Sequence, residues 1–476
     1  MISKKIFFLL NFVYIIVFFF SYGCRGTVKE PSVEGAFYPA GKENLTSTVD
    51  EFLSMADDKP VDGKLIALIS PHAGYQYSGA VAAYSYKHLK GRDIKTVILI
   101  GPSHHAGFSG ASVYERGSWK NSLGTVSIDS EIAGALINKD ADIVFNPDVF
   151  EKEHSLEVQL PFLQSVLMKF KIVPVLIGTP TRQSFDSLTS RITDIMRKND
   201  GVILVASTDL SHYHNYETAV KMDSTIIDAV ERMSIDDAQG YMMRGEAEMC
   251  GGNPVIYTLA IARNLGATNG VLYRYANSGD VTGDKARVVG YAAMGIYQSS
   301  LTDSEQSELL TLAKNTITSY VTNGNTPIVN MPDKRLKANG ATFVTIKTGN
   351  GMLRGCIGNI QPDMSLYSSV INNAVNACSK DPRFNPVTAE ELKDITIEVT
   401  VLSPLEPLED KDKIEIGKHG LYIVKDNRSG ILLPQVPVEF GWDRETFLKQ
   451  VSKKAGLPED AWKEAKLYTF TAEIIR

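Results

Sequence analysis

Histidines are distributed unevenly along this chain, and two of them follow strand-like runs at equivalent places. Seven of the eight histidines lie between His72 and His214, and the eighth is His419. His72 comes after the aliphatic run 64–69 and a Ser-Pro turn, and His104 comes after the run 96–100 and a Gly-Pro turn. Because neutral imidazole is a common metal ligand in proteins, this pairing predicts a metal site.

Cys250 is a third donor for that site, since its neighbouring glycines permit close backbone approach. Two imidazoles and one thiolate suit iron, copper and zinc alike, so the donors alone do not select the metal. Asp209 and His212, three positions apart after the run 202–206, can orient a ligand or move protons to a substrate. A buried inert thiol and a turn cap are the alternative interpretations of Cys250 and Asp209.

Glu153 and His154 are a similar carboxylate–imidazole pair at the start of a helical pattern, where Ser155 as a helix cap explains part of the sequence without function. His105 is placed beside the pocket. His88 and His214 are placed at its periphery.

Alternating strand and helix patterns must position these residues. Continuous aliphatic runs indicate buried strands at 64–69, 96–100, 172–177 and 202–206. Helical patterns separate them at 79–89, 157–169 and 184–198. This order predicts an α/β domain with a largely parallel central sheet. Ligands of such sheets bind beyond the carboxyl ends of the strands, where the histidines fall.

A second domain is expected because 476 residues exceed what one core usually serves. A polar break places the boundary at about residue 300. Beyond it, helical patterns at 304–321 and 365–379 and strand patterns at 341–348 and 395–402 predict a smaller α+β domain with a mainly antiparallel sheet. The net charge of −6 gives no footprint for nucleic acid.

The first 24 residues are typical of an export signal. Two lysines precede an apolar run at 6–20, and Cys24 follows it as in a bacterial lipoprotein. An uncleaved anchor is the alternative. Either way, the sequence predicts an exported protein attached to a membrane through an N-terminal lipid or anchor. Of the remaining cysteines, Cys356 and Cys378 can pair or stay free; the sequence does not decide between the two.

Five motifs in order resemble the Memo family over residues 27–298. They are Pro71-His72-Ala73-Gly74-Tyr75, Gly101-Pro102-Ser103-His104-His105, Glu153-His154-Ser155-Leu156-Glu157, the segment 207–212, and Cys250-Gly251. That family is similar in fold to class III extradiol dioxygenases, which use non-haem iron(II). The resemblance implies His72, His104 and Cys250 as metal ligands, with Asp209 and His212 beside them. It departs from the dioxygenases in offering a thiol where they use a carboxylate.

The segment 303–476 resembles the AMMECR domain. The motifs are Leu353-Arg354-Gly355-Cys356-Ile357-Gly358, Asp381-Pro382-Arg383-Phe384, and Leu432-Leu433-Pro434-Gln435-Val436 with Gly441-Trp442-Asp443. A chain that joins the two domains resembles components of AmmeMemoRadiSam systems. That resemblance implies a functional link to a radical S-adenosylmethionine protein. Cys356 is interpreted as part of a structural turn rather than as a nucleophile.

Three functions fit these observations. The preferred one is a non-haem iron redox enzyme, resembling the dioxygenases, in which His212 and Asp209 are catalytic and the substrate is an unidentified small molecule or peptide. The second is a metal- or peptide-binding module without catalysis. The third is a zinc-assisted hydrolase.

Overall fold

The computed structural model describes residues 28–57 and 61–476. The predicted export signal and Cys24 lie outside these residues. Within the described ranges, no helix is both long and apolar enough to cross a membrane.

The N-terminal domain alternates strands and helices. Its strands are β1 (Val28–Lys29), β2 (Lys64–Ser70), β3 (Thr96–Pro102), β4 (Ala111–Val113), β5 (Ser118–Asn121), β6 (Gly124–Ser127), β7 (Ile143–Val144), β8 (Lys171–Ile177), β9 (Val202–Ser207), β10 (His212–His214), β11 (Asn269–Asn277) and β12 (Val288–Gln298). Its helices are α1 (Lys42–Met55), α2 (Tyr75–Lys87), α3 (Ser130–Leu136), α4 (Leu160–Val166), α5 (Arg182–Lys198), α6 (Tyr216–Glu231), α7 (Ile235–Met243), α8 (Gly252–Asn264) and α9 (Ser278–Thr282).

The central sheet of this domain is mixed, whereas the sequence predicted a largely parallel one. Strands β2, β9, β3 and β8 are parallel neighbours in its middle. On one side β12 pairs antiparallel with β2 and with β11, and on the other β4 pairs antiparallel with β8. The physical reason is connection length. Only the short helix α9 separates β11 from β12, and so short a link joins antiparallel strands.

The four predicted aliphatic strands are confirmed, and each is buried along nearly its whole length. The helix predicted at 157–169 is much shorter. Residues Glu157–Gln159 form a 3₁₀ turn, and the α-helix spans only Leu160–Val166. Pro161 occupies the first turn of this helix, where its missing N–H is tolerated.

The C-terminal domain contains two antiparallel sheets, as the α+β prediction requires. Its strands are β13 (Asn339–Thr348), β14 (Leu353–Gly358), β15 (Met364–Ser365), β16 (Ile395–Leu402), β17 (Glu406–Pro407), β18 (Gly420–Lys425), β19 (Arg428–Leu432), β20 (Lys466–Phe470) and β21 (Ala472–Ile475). Its helices are α10 (Asp303–Asn323), α11 (Leu366–Ser379), α12 (Gln435–Glu439) and α13 (Arg444–Lys454). One sheet runs in the order β14-β13-β16-β21 with β15 beside β13, and the other in the order β17-β20-β18-β19.

The predicted boundary near residue 300 falls between β12 and α10. Here the Arg335 guanidinium donates hydrogen bonds to the carbonyl oxygens of Ser299 and Ser300, each at 2.6 Å. Lys334 forms an ion pair with Glu231 of α6. The connecting segment is therefore held by side chains of the C-terminal domain.

Candidate metal centre

Three parallel strands deliver polar residues to one edge of the sheet. Strand register sets Ser70 opposite Ser207 and Ile100 opposite Ala206, so β2, β3 and β9 end level with one another. His72, His104 and Asp209 follow these ends. The predicted gathering of His72 and His104 is observed, with their ring centroids 5.1 Å apart.

A third histidine, His154, completes the cluster. One donor atom from each of His72, His104 and His154 lies within 4.8 Å of the other two, which suits a shared metal ion. The rings of His104 and His154 stack with centroids 4.6 Å apart. The sequence offered Glu153 and His154 as a carboxylate–imidazole pair at a helix start but did not count His154 among the metal ligands. The sequence signal for His154 was its place in the motif Glu153-His154-Ser155-Leu156-Glu157, one of the five that resemble the Memo family.

Hydrogen bonds fix the tautomer of His72. The Ser207 hydroxyl donates to the carbonyl oxygen of Ser155 at 2.6 Å and accepts from Gln159 Nε2 at 2.8 Å. A hydroxyl has only one proton to donate, so His72 Nδ1, 2.8 Å from Ser207 Oγ, must itself donate. The Nε2 lone pair of this buried ring is therefore available to a metal.

Glu153 fixes the second imidazole in the same way. Its carboxylate accepts from Nδ1 of His104 at 2.9 Å and from the backbone N–H of His104 at 2.6 Å. It also accepts from the backbone N–H groups of His154 and Ser155. These hydrogen bonds hold the pKa of Glu153 at about 2 although burial opposes ionisation. A carboxylate behind a histidine is the usual outer partner of a metal ligand, and it leaves Nε2 of His104 free.

Cys250, in the turn before α8, approaches one member of the cluster, His72, and is not among the residues whose donor atoms all lie within 4.8 Å of one another. Its Sγ lies 3.1 Å from His72 Nε2 and accepts from the backbone N–H of Asp209 at 3.2 Å. Burial, with the nearby Asp209 carboxyl, raises the pKa of this thiol to about 12. Without metal the neutral thiol therefore donates to Nε2 of His72. Metal binding requires loss of that proton.

The close approach of the Cys250 turn depends on Gly251. A Cβ on this residue would lie 2.3 Å from the carbonyl oxygen of Ser207 and 2.6 Å from Cβ of Thr208. The Gly251 N–H donates to the Thr208 hydroxyl at 2.9 Å. A side chain here would push the thiol away from His72.

Asp209 holds the backbone at the site. Its Oδ1 accepts from the backbone N–H of His72 at 2.8 Å, and burial raises its pKa to about 7. His212 Nδ1 donates to the Leu210 carbonyl at 2.7 Å, so its Nε2 lone pair is also free. His212 is not one of the three histidines whose donor atoms cluster within 4.8 Å.

Burial favours the neutral form of three imidazoles near the site, those of His72, His154 and His212, as metal ligation requires. Burial, followed by the neighbouring His104 and His154, keeps the pKa of His72 well below its usual value. Burial lowers the pKa of His154 to about 4, and it lowers that of His212 as well. Uncharged rings beside a thiol that can ionise form a donor set that fits a divalent transition metal.

The other histidines take different places. The ring of His105 lies 6.1 Å from that of His154, at the margin of the cluster. His88 stacks on Tyr273, and His214 pairs with Glu248. His419 accepts from the backbone N–H of Glu415 in the C-terminal domain.

Two motifs of the C-terminal domain interlock. The thiols of Cys356 and Cys378 are both free. The Cys356 N–H donates to Asp381 Oδ2 at 2.8 Å, and Arg383 holds the same carboxylate. This supports the interpretation of the Leu353–Gly358 segment as structural.

The model of the family described as Memo-like protein matches residues 29–295, more than half of the chain. The chain belongs to the Memo-like family. A second model, described as AMMECR1, matches residues 310–475, so one chain carries both domains. The Memo match contains every residue of the cluster described above.

Archaeal and bacterial relatives match the Memo domain at nearly their full length. A MEMO1 family protein of Methanopyrus kandleri is 36% identical over 278 residues, covering 56% of this chain and 98% of its own. A relative from Methanothermobacter thermautotrophicus is 37% identical over 273 residues, covering 56% and 99%. A relative from Aquifex aeolicus is 35% identical over 270 residues, covering 56% and 98%.

Among solved structures, an uncharacterised protein of Pyrococcus horikoshii is 39% identical. The match covers 37% of this chain and 92% of that one, with a TM-score of 0.36.

Proposed function

We propose that this protein is a metal-dependent redox enzyme with iron held by His72, His104 and Cys250, and with His154 as a further ligand. The supporting observation is that hydrogen bonds to Ser207 and Glu153 fix the tautomers of His72 and His104. The Nδ1 atoms of both rings are engaged, so Nε2 of each ring can accept a metal, and Nε2 of His72 lies 3.1 Å from the Cys250 thiol. Such preorganisation of ligands by an outer shell is characteristic of metal sites.

The site is also open, which favours catalysis over purely structural binding. The His104 side chain is 28% exposed and that of His154 is 15% exposed, whereas His72 is buried. Structural metal sites are closed by protein ligands, whereas catalytic sites keep a position for water or substrate. Solvent can reach this cluster from the side of His104.

When bound, iron would supply one-electron chemistry and a site for oxygen or substrate. The protein supplies the rest. We assign His212 the role of proton acceptor, since its Nδ1–H is committed to Leu210 and its Nε2 is free. Asp209 assists by holding the backbone of His72 in place.

We further propose that the protein is exported and attached to a membrane, and that it acts in a pathway with a radical S-adenosylmethionine protein. The apolar run before Cys24 supports the first point. The joining of a Memo domain to an AMMECR1 domain supports the second. The substrate is an unidentified small molecule or peptide.

Elemental analysis tests the metal site directly. The full chain, purified without oxygen from cells supplied with iron, copper and zinc, should contain close to one iron per chain. His72→Ala and Cys250→Ser should lose it, whereas His419→Ala, a histidine of the other domain, should keep it. Chain without bound metal, or equal metal in all variants, would refute the proposal.

The His212→Ala variant distinguishes a redox enzyme from a metal-binding module without catalysis. The variant should keep its iron but lose oxygen uptake measured with ascorbate as the reductant. Unchanged uptake would favour a binding module. Hydrolysis of ester probes by zinc-loaded protein in the absence of oxygen would instead favour a hydrolase.

A further inference from the structure

A distorted strand lies directly beside the candidate metal centre. Strand β10 pairs with β12 through His212 opposite Val289 and His214 opposite Val288, and the register slips between the two pairs. Tyr213, at the slip, has a φ of 62°. A bulky residue is an outlier in this left-handed region. Bulges next to active sites commonly redirect a side chain, and this one turns Tyr213 outward.

Tyr213 is 63% exposed, in contrast to Tyr257 and Tyr291, which are buried. The Arg287 guanidinium lies over this ring, 5.1 Å from its centroid. Nearby, the Lys285 ammonium lies 4.4 Å from the centroid of the Tyr216 ring. An aromatic face attracts a cation without neutralising its charge.

Neither cation has a carboxylate partner within ion-pair distance among residues 28–57 and 61–476. The nearby acid, Glu248, is engaged elsewhere: it accepts from the backbone N–H of His212 at 3.2 Å and pairs with His214 at 3.0 Å. Asp284 immediately precedes Lys285, so residues 284–287 carry one net positive charge, and the Arg287 guanidinium lies over the ring of Tyr213, the residue that follows His212.

We propose that Tyr213 and Arg287 bind a negatively charged group of the substrate, a carboxylate attached to a planar apolar body, and so determine specificity at the proposed redox site. This inference rests on the function proposed above. Arg287 is suited to the role because guanidinium binds carboxylate through two parallel hydrogen bonds. Tyr213 holds the guanidinium in place and offers its ring to the apolar part of the ligand.

Calorimetric titration of the full chain with 4-fluorobenzoate tests the proposal, with 4-fluorobenzamide as the neutral probe of the same shape. Arg287→Ala should weaken benzoate binding by about tenfold or more, as expected for a lost charge-assisted hydrogen bond. It should leave benzamide binding unchanged. The matched control is Arg274→Ala, since Arg274 also lies over a tyrosine ring, that of Tyr84, at 5.9 Å. This control should bind benzoate as the parent does.

Tyr213→Gly separates recognition from folding. Glycine adopts positive φ without strain, so this variant should be at least as stable as the parent while binding benzoate more weakly. Benzoate binding that is absent in the parent, or equal in the parent and Arg287→Ala, would overturn the inference. Iron content measured on the same samples tests the proposed function separately, because Arg287 contacts no proposed ligand.

Discussion

Replacing Glu153 with glutamine tests whether the outer shell of the site controls metal binding. Three donors meet Glu153 Oε1 in the structure, and the backbone N–H of His104 meets Oε2. A glutamine oxygen can retain the first three hydrogen bonds, but its amide group then faces the fourth donor. The backbone N–H of His104, in a part-buried hydrogen bond, then loses its acceptor, which costs about 1 kcal/mol of stability.

The same change should weaken metal binding. Loss of an outer-shell partner typically lowers metal affinity by about 10–100-fold, or roughly 1.4–2.7 kcal/mol. Urea unfolding of the metal-free chain measures the first effect, and competition with a chromophoric chelator measures the second.

Glu157→Gln is the matched control. This buried carboxylate lies four residues away and holds Lys29, Ser32, Val33 and Tyr38 rather than a proposed ligand. It should lower stability yet leave metal affinity nearly unchanged. If Glu153→Gln binds metal as tightly as the parent, or if both variants lose affinity equally, the carboxylate does not position His104 for a metal.

Three further predictions concern stability. Asp381→Asn should cost about 2 kcal/mol at neutral pH, since Arg383 holds the Asp381 pKa at about 2, below its usual 3.8. Because the folded-state pKa is lowered, this contribution is present above pH 3.8 and disappears as the pH falls through 2, so urea unfolding of parent and variant should converge in acid. Gly290→Ala should cost about 1–3 kcal/mol by thermal unfolding, since a Cβ would lie 1.9 Å from Asp223 Oδ2; an unchanged melting temperature would contradict this packing. Iron(II) at 100 times its dissociation constant should stabilise the parent by about 2.7 kcal/mol and His72→Ala not at all, as read from denaturant midpoints.

The sequence alone was sufficient for the framework of the site. Long aliphatic runs can be buried on both faces only in the middle of a sheet, so β2, β3, β8 and β9 were predictable. Turn residues after β2 and β3 then marked His72 and His104. The antiparallel flanks were not predictable from those runs, because strand direction depends on how distant segments pair.

Residue chemistry and motif resemblance both placed Cys250 at the site, whereas the position of His154 beside His72 and His104 was visible only in the tertiary structure. Cys250 lies 178 positions from His72 in the sequence, and no local sequence pattern predicts that two such distant residues are in contact. His154 lies in an irregular segment, where no helix or strand periodicity predicts the direction of its side chain.

Residue types and strand ends in the sequence determined which chemistry this protein can hold. The tertiary structure decided which imidazole nitrogens are left without a proton and so can accept a metal ion. A tautomer depends on the partner of the second ring nitrogen, and the partners of His72 and His104, Ser207 and Glu153, come from other elements of the fold. Hydrogen bonds between segments far apart in sequence arise only when the chain has packed, and for that reason the ligand geometry is a property of the fold.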